Sequence, residues 1–313
     1  MHNKPVHIYS VPWDCTTTFS PGTANAPEQI AMVAHQMDVS HPFKAVSPQL
    51  EFLPILPDIT RLQRQFEDPS RQIIDLLNHD RPLRPNDKKN LFNINAACED
   101  LHNIVYNESA RLIRNNSPFI LCGGEHGVGV GYLRALNELD QPFSILQIDA
   151  HMDCRQAYFG YVYSHASVMT HYSSLSNVSR IVQVGIRDYD LVEIEFQNHQ
   201  KTSFIPFFDS DMHRRMFRGE SWHDIVIDIV QSLNGPVFVS FDVDGLMPHL
   251  CPNTGTPVAG GLSYNQVSYL FEVLYQSHPI IGAELVEVSG KSTAQYDASI
   301  GAQLLQLMAG LLV

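Results

Sequence analysis

The chain is expected to fold as an α/β domain built around a mainly parallel sheet. Three observations carry that expectation. Short apolar runs that suit buried strands alternate with longer stretches of helical period. Several of the runs turn from apolar to acidic or histidine-bearing at their last positions, where open α/β sheets hold their ligands. No repeat or linker interrupts the 313 residues, so one domain spanning 1–313 is expected.

Residues 6–12 read as a first strand that runs into a turn-rich segment, 13–22, with a helix from about Pro27. Residues 52–55 make a short strand that Pro54 would confine to a sheet edge. Helical patterns cover 59–78 and 90–115, separated by a solvated loop, 79–86, with two prolines. Residues 118–122 form a strand opening into Gly123-Gly-Glu-His-Gly127, then a helix to about Leu139. Residues 144–148, bounded by Pro142, suit a fully buried parallel strand. The connection 155–171 is aromatic and polar without a clear period. Strands follow at 180–187, 203–208, 236–244 and 280–288, with helices at 222–233, 263–276 and 298–312.

Composition narrows the function. The chain is 44% apolar and 17% charged, as soluble globular proteins are. A formal net charge of -13 with no basic stripe excludes a general nucleic-acid binder, which needs clustered Lys and Arg. No apolar run approaches the ~18 residues of a membrane span, and the N-terminal residues lack the apolar core of a signal peptide. Cys15, Cys98, Cys122, Cys154 and Cys251 are odd in number and contain no C-x-x-C pair, so reduced thiols and a cytoplasmic location are expected. Cys154 should point away from its acidic neighbours.

The chemistry gathers at strand ends. Asp149, His151 and Asp153 stand on alternate positions, which share a face in an extended segment. His126 follows a Gly-Gly turn at a second strand end, Asp242 and Asp244 close a third, and Glu287 a fourth. Each alone reads as a cap or a satisfied core residue; four strands ending this way do not. Two histidines and four carboxylates exceed what one catalytic zinc takes. They suit two divalent ions sharing bridging carboxylates, with Mn²⁺ a natural choice.

Gly-Gly-Glu-His (123–126), Asp-Ala-His-Met-Asp (149–153) and Ser-Phe-Asp-Val-Asp-Gly (240–245) resemble the three signatures of the ureohydrolase family. That family comprises arginases, agmatinases, guanidino-acid hydrolases and formimidoylglutamases. Residues 11–22 are similar to the N-terminal segment of agmatinases, and 254–262 and 285–289 to C-terminal blocks of the family. The resemblance implies a three-layer α/β/α sandwich with an eight-stranded, mainly parallel sheet, assembled as a homotrimer or homohexamer. It implies one manganese held by His126, Asp149, Asp153 and Asp242, and a second by His151, Asp149, Asp242 and Asp244. Asp153 would relay a proton, Glu287 would orient the guanidinium, and His165, in Tyr163-Ser-His-Ala-Ser167, would shuttle protons.

Some positions depart from the family pattern. Glu125 stands where arginases have Asp, Met247 replaces an acidic residue, and Glu284 sits where an Asp is usual. The loop lacks the Asn and Ser pattern with which arginases grip an α-amino carboxylate. The expected substrate is therefore agmatine, cleaved to putrescine and urea, with other guanidino or formimino compounds as alternatives. A metal-binding protein without activity, acting as an assembly partner, is the alternative of another class. Intact Glu287 and His165 weigh against it, and the six-ligand set weighs against a zinc deacetylase. Arg155 is the open point: pointing inward it would favour a substrate carboxylate, and the outward orientation is expected. Tyr158, Tyr161 and Tyr163 would wall a substrate slot or simply pack.

Overall fold

The computed structural model describes residues 4–37 and 41–313. Among these, eight strands make one all-parallel sheet. They are β1 (Val6–Val11), β2 (Leu50–Phe52), β3 (Phe119–Gly123), β4 (Phe143–Ile148), β5 (Val178–Ile186), β6 (Ser203–Phe208), β7 (Val237–Asp242) and β8 (Ile280–Val286). Their order across the sheet is β2-β1-β3-β8-β7-β4-β5-β6.

Side-chain alternation along each strand builds a core on both faces. Ile120 and Cys122 of β3, with Leu146 and Ile148 of β4, face one layer of helices. That layer comprises α1 (Ala26–Ala34), α7 (Asp209–Phe217), α8 (Trp222–Gln231), α9 (Tyr264–Ser277) and α10 (Gln295–Leu312). Phe119 and Leu121, with Phe143 and Ile145, face the other. There lie α2 (Pro57–Asn78), α3 (Pro85–Arg114), α4 (Val130–Leu136), α5 (Val168–Ser173) and α6 (Leu191–Asn198). The expected three-layer sandwich is thus observed, its sheet parallel throughout. Each large aliphatic side chain moved out of water into these layers contributes about 1.5–3 kcal/mol. The closing helix α10 is apolar nearly all round because it packs against β8, α1 and α9 at once.

Three local readings are corrected. The edge strand β2 is Leu50–Phe52, earlier than 52–55. Its pairing with β1 ends where Leu53 N–H donates to the Ile8 carbonyl, and Pro54 has no N–H to extend the ladder. Helices α6 and α7 were not anticipated. Yet α6 carries a reciprocal cap: Asp190 accepts from the amide of Val192, and Glu193 accepts from the amide of Asp190. The unpatterned stretch 155–171 holds a short 3-10 turn, His165–Ser167, and the start of α5.

Topology fixes where a ligand can sit. From β4 the chain moves to β5 on one side, whereas from β7 it moves to β8 on the other. The carboxyl ends of these adjacent strands therefore border a crevice at a reversal of winding direction, where such sheets bind ligands.

Candidate metal centre and active site

The four strands that end in candidate ligands are neighbours: β3, β8, β7 and β4 lie side by side at the middle of the sheet. Beyond β3, Gly124 passes so close to the N-terminal loop that a Cβ there would lie 2.1 Å from the Trp13 carbonyl oxygen. This approach lets Glu125 N–H donate to that same oxygen at 2.9 Å and turns His126 inward. At the end of β7, Gly245 allows similar closeness, its position lying 2.7 Å from the Asp149 amide for any added Cβ.

His126 is fully buried. Its Nδ1 lies 2.8 Å from Asp153 Oδ2, 3.3 Å from Asp149 Oδ2 and 3.6 Å from Asp242 Oδ2. On the other flank, His151 Nδ1 lies 2.9 Å from Asp244 Oδ2 and 3.6 Å from Asp149 Oδ1. Asp149 therefore offers one oxygen to each imidazole. Two groups of ligand atoms result, His126–Asp149–Asp153 and Asp149–His151–Asp244, each with its atoms within 4.8 Å of one another. The carboxylates are held from behind. Asp149 accepts from Gln147 Nε2 (2.8 Å) and the His151 amide (2.6 Å), Asp242 from the Asp244 amide (2.8 Å), and Asp244 from the Ala150 amide (3.0 Å).

The residues fit divalent cations. Ser240 Oγ and the Tyr172 hydroxyl both donate to Glu284 Oε1, at 2.7 and 2.8 Å. With its own proton committed there, Ser240 Oγ accepts from His126 Nε2 at 2.8 Å. The neutral tautomer thus leaves a lone pair on Nδ1, a buried nitrogen with no hydrogen-bond partner that faces three carboxylates. A lone pair among carboxylate oxygens is repulsive until a cation sits between them. The carboxylates show the same tension. Burial, then Asp244, pushes Asp242 well above the usual range, and burial, then Asp149, pushes Asp153 up to about 7.

Each expected catalytic residue borders this cluster. Glu287 is buried, and its Oε1 accepts from the His126 amide at 2.8 Å. Asp153 and Glu287 both adopt left-handed backbone, with φ of 54° and 62°; such strain in non-glycine residues gathers at functional sites. His165 Nε2 lies 3.0 Å from Thr18 Oγ1, and burial lowers its pKa to about 3, which keeps the imidazole neutral. Above them opens a cleft of about 190 Å³, bordered by His151, Asp153, His165, Tyr158, Asp188 and Thr256.

The departures find places too. Glu125 is clasped by Thr16, through its amide (2.9 Å) and hydroxyl (2.6 Å), and by the Thr17 hydroxyl (3.0 Å). Glu284 supports His126 through Ser240, and Met247 sits in the turn after β7 with its amide on the Leu262 carbonyl. Cys154 turns away from the cluster toward Gln197 Nε2, 3.4 Å. Of the three tyrosines, Tyr158 borders the cleft, Tyr161 is core, and Tyr163 is packed between the rings of His102 and His171.

Arg155 makes the ion pairs that go with the expected outward orientation, yet it also lines the cleft. It borders the cleft while its Nη2 lies 3.8 Å from Asp190 and 3.9 Å from Glu193, with the guanidinium over the Tyr158 ring. Sequence reasoning also missed the cleft residues Thr18, Phe19, Asn78, Asp188, Tyr189 and Glu193. Asp188, just beyond β5, shows the acidic strand end used elsewhere and was findable. Asn78, at the C-terminus of α2, carries no such signal.

Comparison with known proteins agrees with this geometry. A sequence model of the arginase family matches residues 4–310. Over 284 residues the chain is 28% identical to N(1)-aminopropylagmatine ureohydrolase of Thermus thermophilus, covering 91% of this chain and 82% of that protein. It is 29% identical to the guanidinobutyrase of Pseudomonas aeruginosa, over 70% of this chain and 67% of that one. Its fold is similar to the agmatine ureohydrolase of Thermoplasma volcanium, with a TM-score of 0.71, 22% identity, and 98% of this chain and 89% of that chain covered. The match of the family model along almost the whole length, with the ligand-bearing strand ends side by side, establishes that the chain belongs to the arginase family.

Proposed function

We propose that this protein hydrolyses the C–N bond of a linear guanidine, with agmatine as substrate and urea and putrescine as products, using two Mn²⁺ per chain. The observation that supports the reading is the position of Asp149, one oxygen toward His126 and the other toward His151, which gives the two ligand groups a carboxylate in common. His126, Asp149, Asp153 and Asp242 would hold one ion, and His151, Asp149, Asp242 and Asp244 the other. The pair, when bound, supplies Lewis acidity and a water made acidic enough to act as nucleophile at neutral pH.

The chain's own groups do the rest. Glu287, fixed by the His126 amide, pairs with the guanidinium and sets its plane over the cluster. The water oxygen adds to the guanidino carbon, and the bond from that carbon to the alkyl nitrogen breaks. Asp153 takes the water's proton and returns it to the leaving nitrogen. His165, neutral and linked to Thr18, passes a proton between the cleft and solvent. Among the relatives, the Thermus protein is named for an agmatine derivative.

A second reading, hydrolysis of a guanidino acid, is favoured by one observation: Arg155 borders the cleft and could meet a carboxylate. Urea release from agmatine, N(1)-aminopropylagmatine, 4-guanidinobutyrate and arginine, measured with added Mn²⁺, decides between the two. Urea from none of them overturns the hydrolase reading and leaves the assembly-partner alternative. The same proposal includes a homotrimer or homohexamer in the cytoplasm, checked by light scattering and cell fractionation. Among the described residues no helix is long and apolar enough to cross a membrane.

A further inference from the structure

A row of buried polar side chains crosses the sheet beneath the metal centre. Gln183 of β5, Gln147 of β4, Ser240 of β7 and Glu284 of β8 are partners in register on four adjacent strands, and all four are fully buried. Parallel strands covered on both faces ordinarily carry aliphatic side chains at such positions. Gln147 and Ser240 each stand two residues before a candidate ligand, Asp149 and Asp242. Ser240 and Glu284 serve His126. The two glutamines run the other way, from Asp149 out to α6.

Each side-chain nitrogen in this second half has two acceptors for its two hydrogens. Gln147 Nε2 donates to Asp149 Oδ2 (2.8 Å) and to the His151 carbonyl (3.3 Å). Gln183 Nε2 donates to Gln147 Oε1 (2.7 Å) and to the Met152 carbonyl (3.0 Å). Gln197 Nε2, on α6, donates to Gln183 Oε1 (2.6 Å) and to Cys154 Sγ (3.4 Å). The carboxylate sets the direction: ionised Asp149 only accepts, so Gln147 turns its nitrogen toward it and each amide behind follows.

The same contacts bracket Asp153. Its φ of 54° is a conformation that a non-glycine residue keeps only where its surroundings over-determine it. The carbonyl before it, of Met152, is held by Gln183, and the amide after it, of Cys154, donates to buried Glu193 of α6 at 3.0 Å. An apolar side chain at 183 would fill the same space and remove the donors that fix the Met152 carbonyl and Gln147.

We propose that Gln147, Gln183 and Gln197 are positioning residues, a chain of buried carboxamides with a single direction that holds Asp149 and Asp153 in the arrangement that binds cations. The inference rests on the metal-site reading and adds to it three residues that act on the ions through those two carboxylates. Hydrogen bonds behind metal ligands typically alter metal affinity about 10- to 100-fold.

The test is the Mn²⁺ affinity of metal-stripped protein, read from the electron paramagnetic resonance of the free ion, in wild type, Gln183→Met and Gln183→Glu. Gln183→Met keeps the side chain's length and removes both donors, so affinity is expected to fall about tenfold or more. Gln183→Glu keeps an acceptor for Gln197 but faces Gln147 Oε1 without a donor, and should bind Mn²⁺ no better than Gln183→Met. Gln197→Met breaks the chain at its outer end, away from the sheet, and replaces the central variants if they fail to fold; a fall of about threefold or more is expected there. Hydrogen exchange of residues 149–155 in metal-free protein, compared with the rest of the sheet, should quicken in each folded variant. Unchanged Mn²⁺ affinity in a folded variant, even one with a lower melting temperature, would make the glutamines ordinary core packing and overturn the proposal. Wild type that binds no Mn²⁺ overturns the metal-site reading instead. Exchange then judges the chain by itself, and equal exchange in wild type and variants overturns it.

Discussion

Glu287 and His126, 161 residues apart in sequence, are joined by one hydrogen bond of 2.8 Å from the His126 amide to the Glu287 carboxylate. This bond ties the end of β8 to the turn after β3 and leaves the second carboxylate oxygen for a guanidinium. Glu287→Gln keeps an acceptor for the amide and loses the charge that pairs with substrate. The expected outcome is a fall in kcat/KM of about 100-fold, near the worth of a charge-assisted pair. Mn²⁺ binding should stay within a few-fold. Activity within tenfold of wild type would remove Glu287 from substrate binding.

The shared position of Asp149 predicts a pattern of metal contents. By elemental analysis after saturation with Mn²⁺, wild type should hold about two ions per chain, His126→Ala and His151→Ala about one each, and Asp149→Ala almost none. Ions that bind only the folded chain also raise stability, by about 2.7 kcal/mol at a concentration 100 times Kd. One ion per wild-type chain would contradict the binuclear site.

Arg155 supplies a prediction about substrate. An unpaired guanidinium in contact with a cationic tail would cost roughly 1–4 kcal/mol. Here Asp190 and Glu193 lie 3.8 and 3.9 Å from it and offset its charge. Arg155→Ala is therefore expected to leave kcat/KM for agmatine within a few-fold. A rise of about 100-fold for agmatine, or an equal loss for 4-guanidinobutyrate, would show that the guanidinium meets the substrate tail.

His102, on α3, predicts how stability depends on pH. Its Nε2 donates to the Gly127 carbonyl at 3.1 Å, and its Nδ1 is buried without a partner. Burial, then Arg134, lowers its pKa to about 3, with His171 adding to that push and Glu99 opposing it. Between pH 6.5 and 3 the unfolded chain binds a proton that the folded one refuses, so stability falls as pH falls through this window. His102→Gln keeps a donor for Gly127 and removes the titration. Between pH 6.5 and 4.5 wild type should lose more stability than this variant, by at most about 2.7 kcal/mol in denaturant unfolding. Parallel losses would show that His102 charges in the folded state.

Strand-end grammar made most of this site legible. Asp149, His151 and Asp153 stand on alternate positions just past β4, and that alternation marked them, although Asp153 itself takes a left-handed backbone. The strands were legible because buried parallel strands are continuous apolar runs, as 144–148 shows. What stayed hidden depends on contacts between distant segments. Asn78 reaches the cleft because α2 ends beside Thr18, and no local pattern in α2 marks that end. The direction of Arg155 is set by Asp190 and Glu193 on a helix whose short apolar pattern was too weak to recognise. Helix α7 likewise has six polar or charged residues among its nine, with Met212 its buried apolar residue.

The strand order carries a consequence for the order of assembly. Strands β1, β2 and β3 form one side of the sheet and β4, β5 and β6 the other, and within the sheet these groups are joined through β8 and β7, the last strands to emerge during synthesis. Until residues 237–286 are in place, the growing chain holds two separate three-stranded pieces with open edges at β3 and β4. His126 belongs to the first piece, Asp149, His151 and Asp153 to the second, and Asp242 and Asp244 to the insert. Such long-range pairings form slowly, and the complete ligand set comes into being only with the last of them. Metal uptake during refolding is thus expected to be a late event, marking the moment when the C-terminal strands close the sheet.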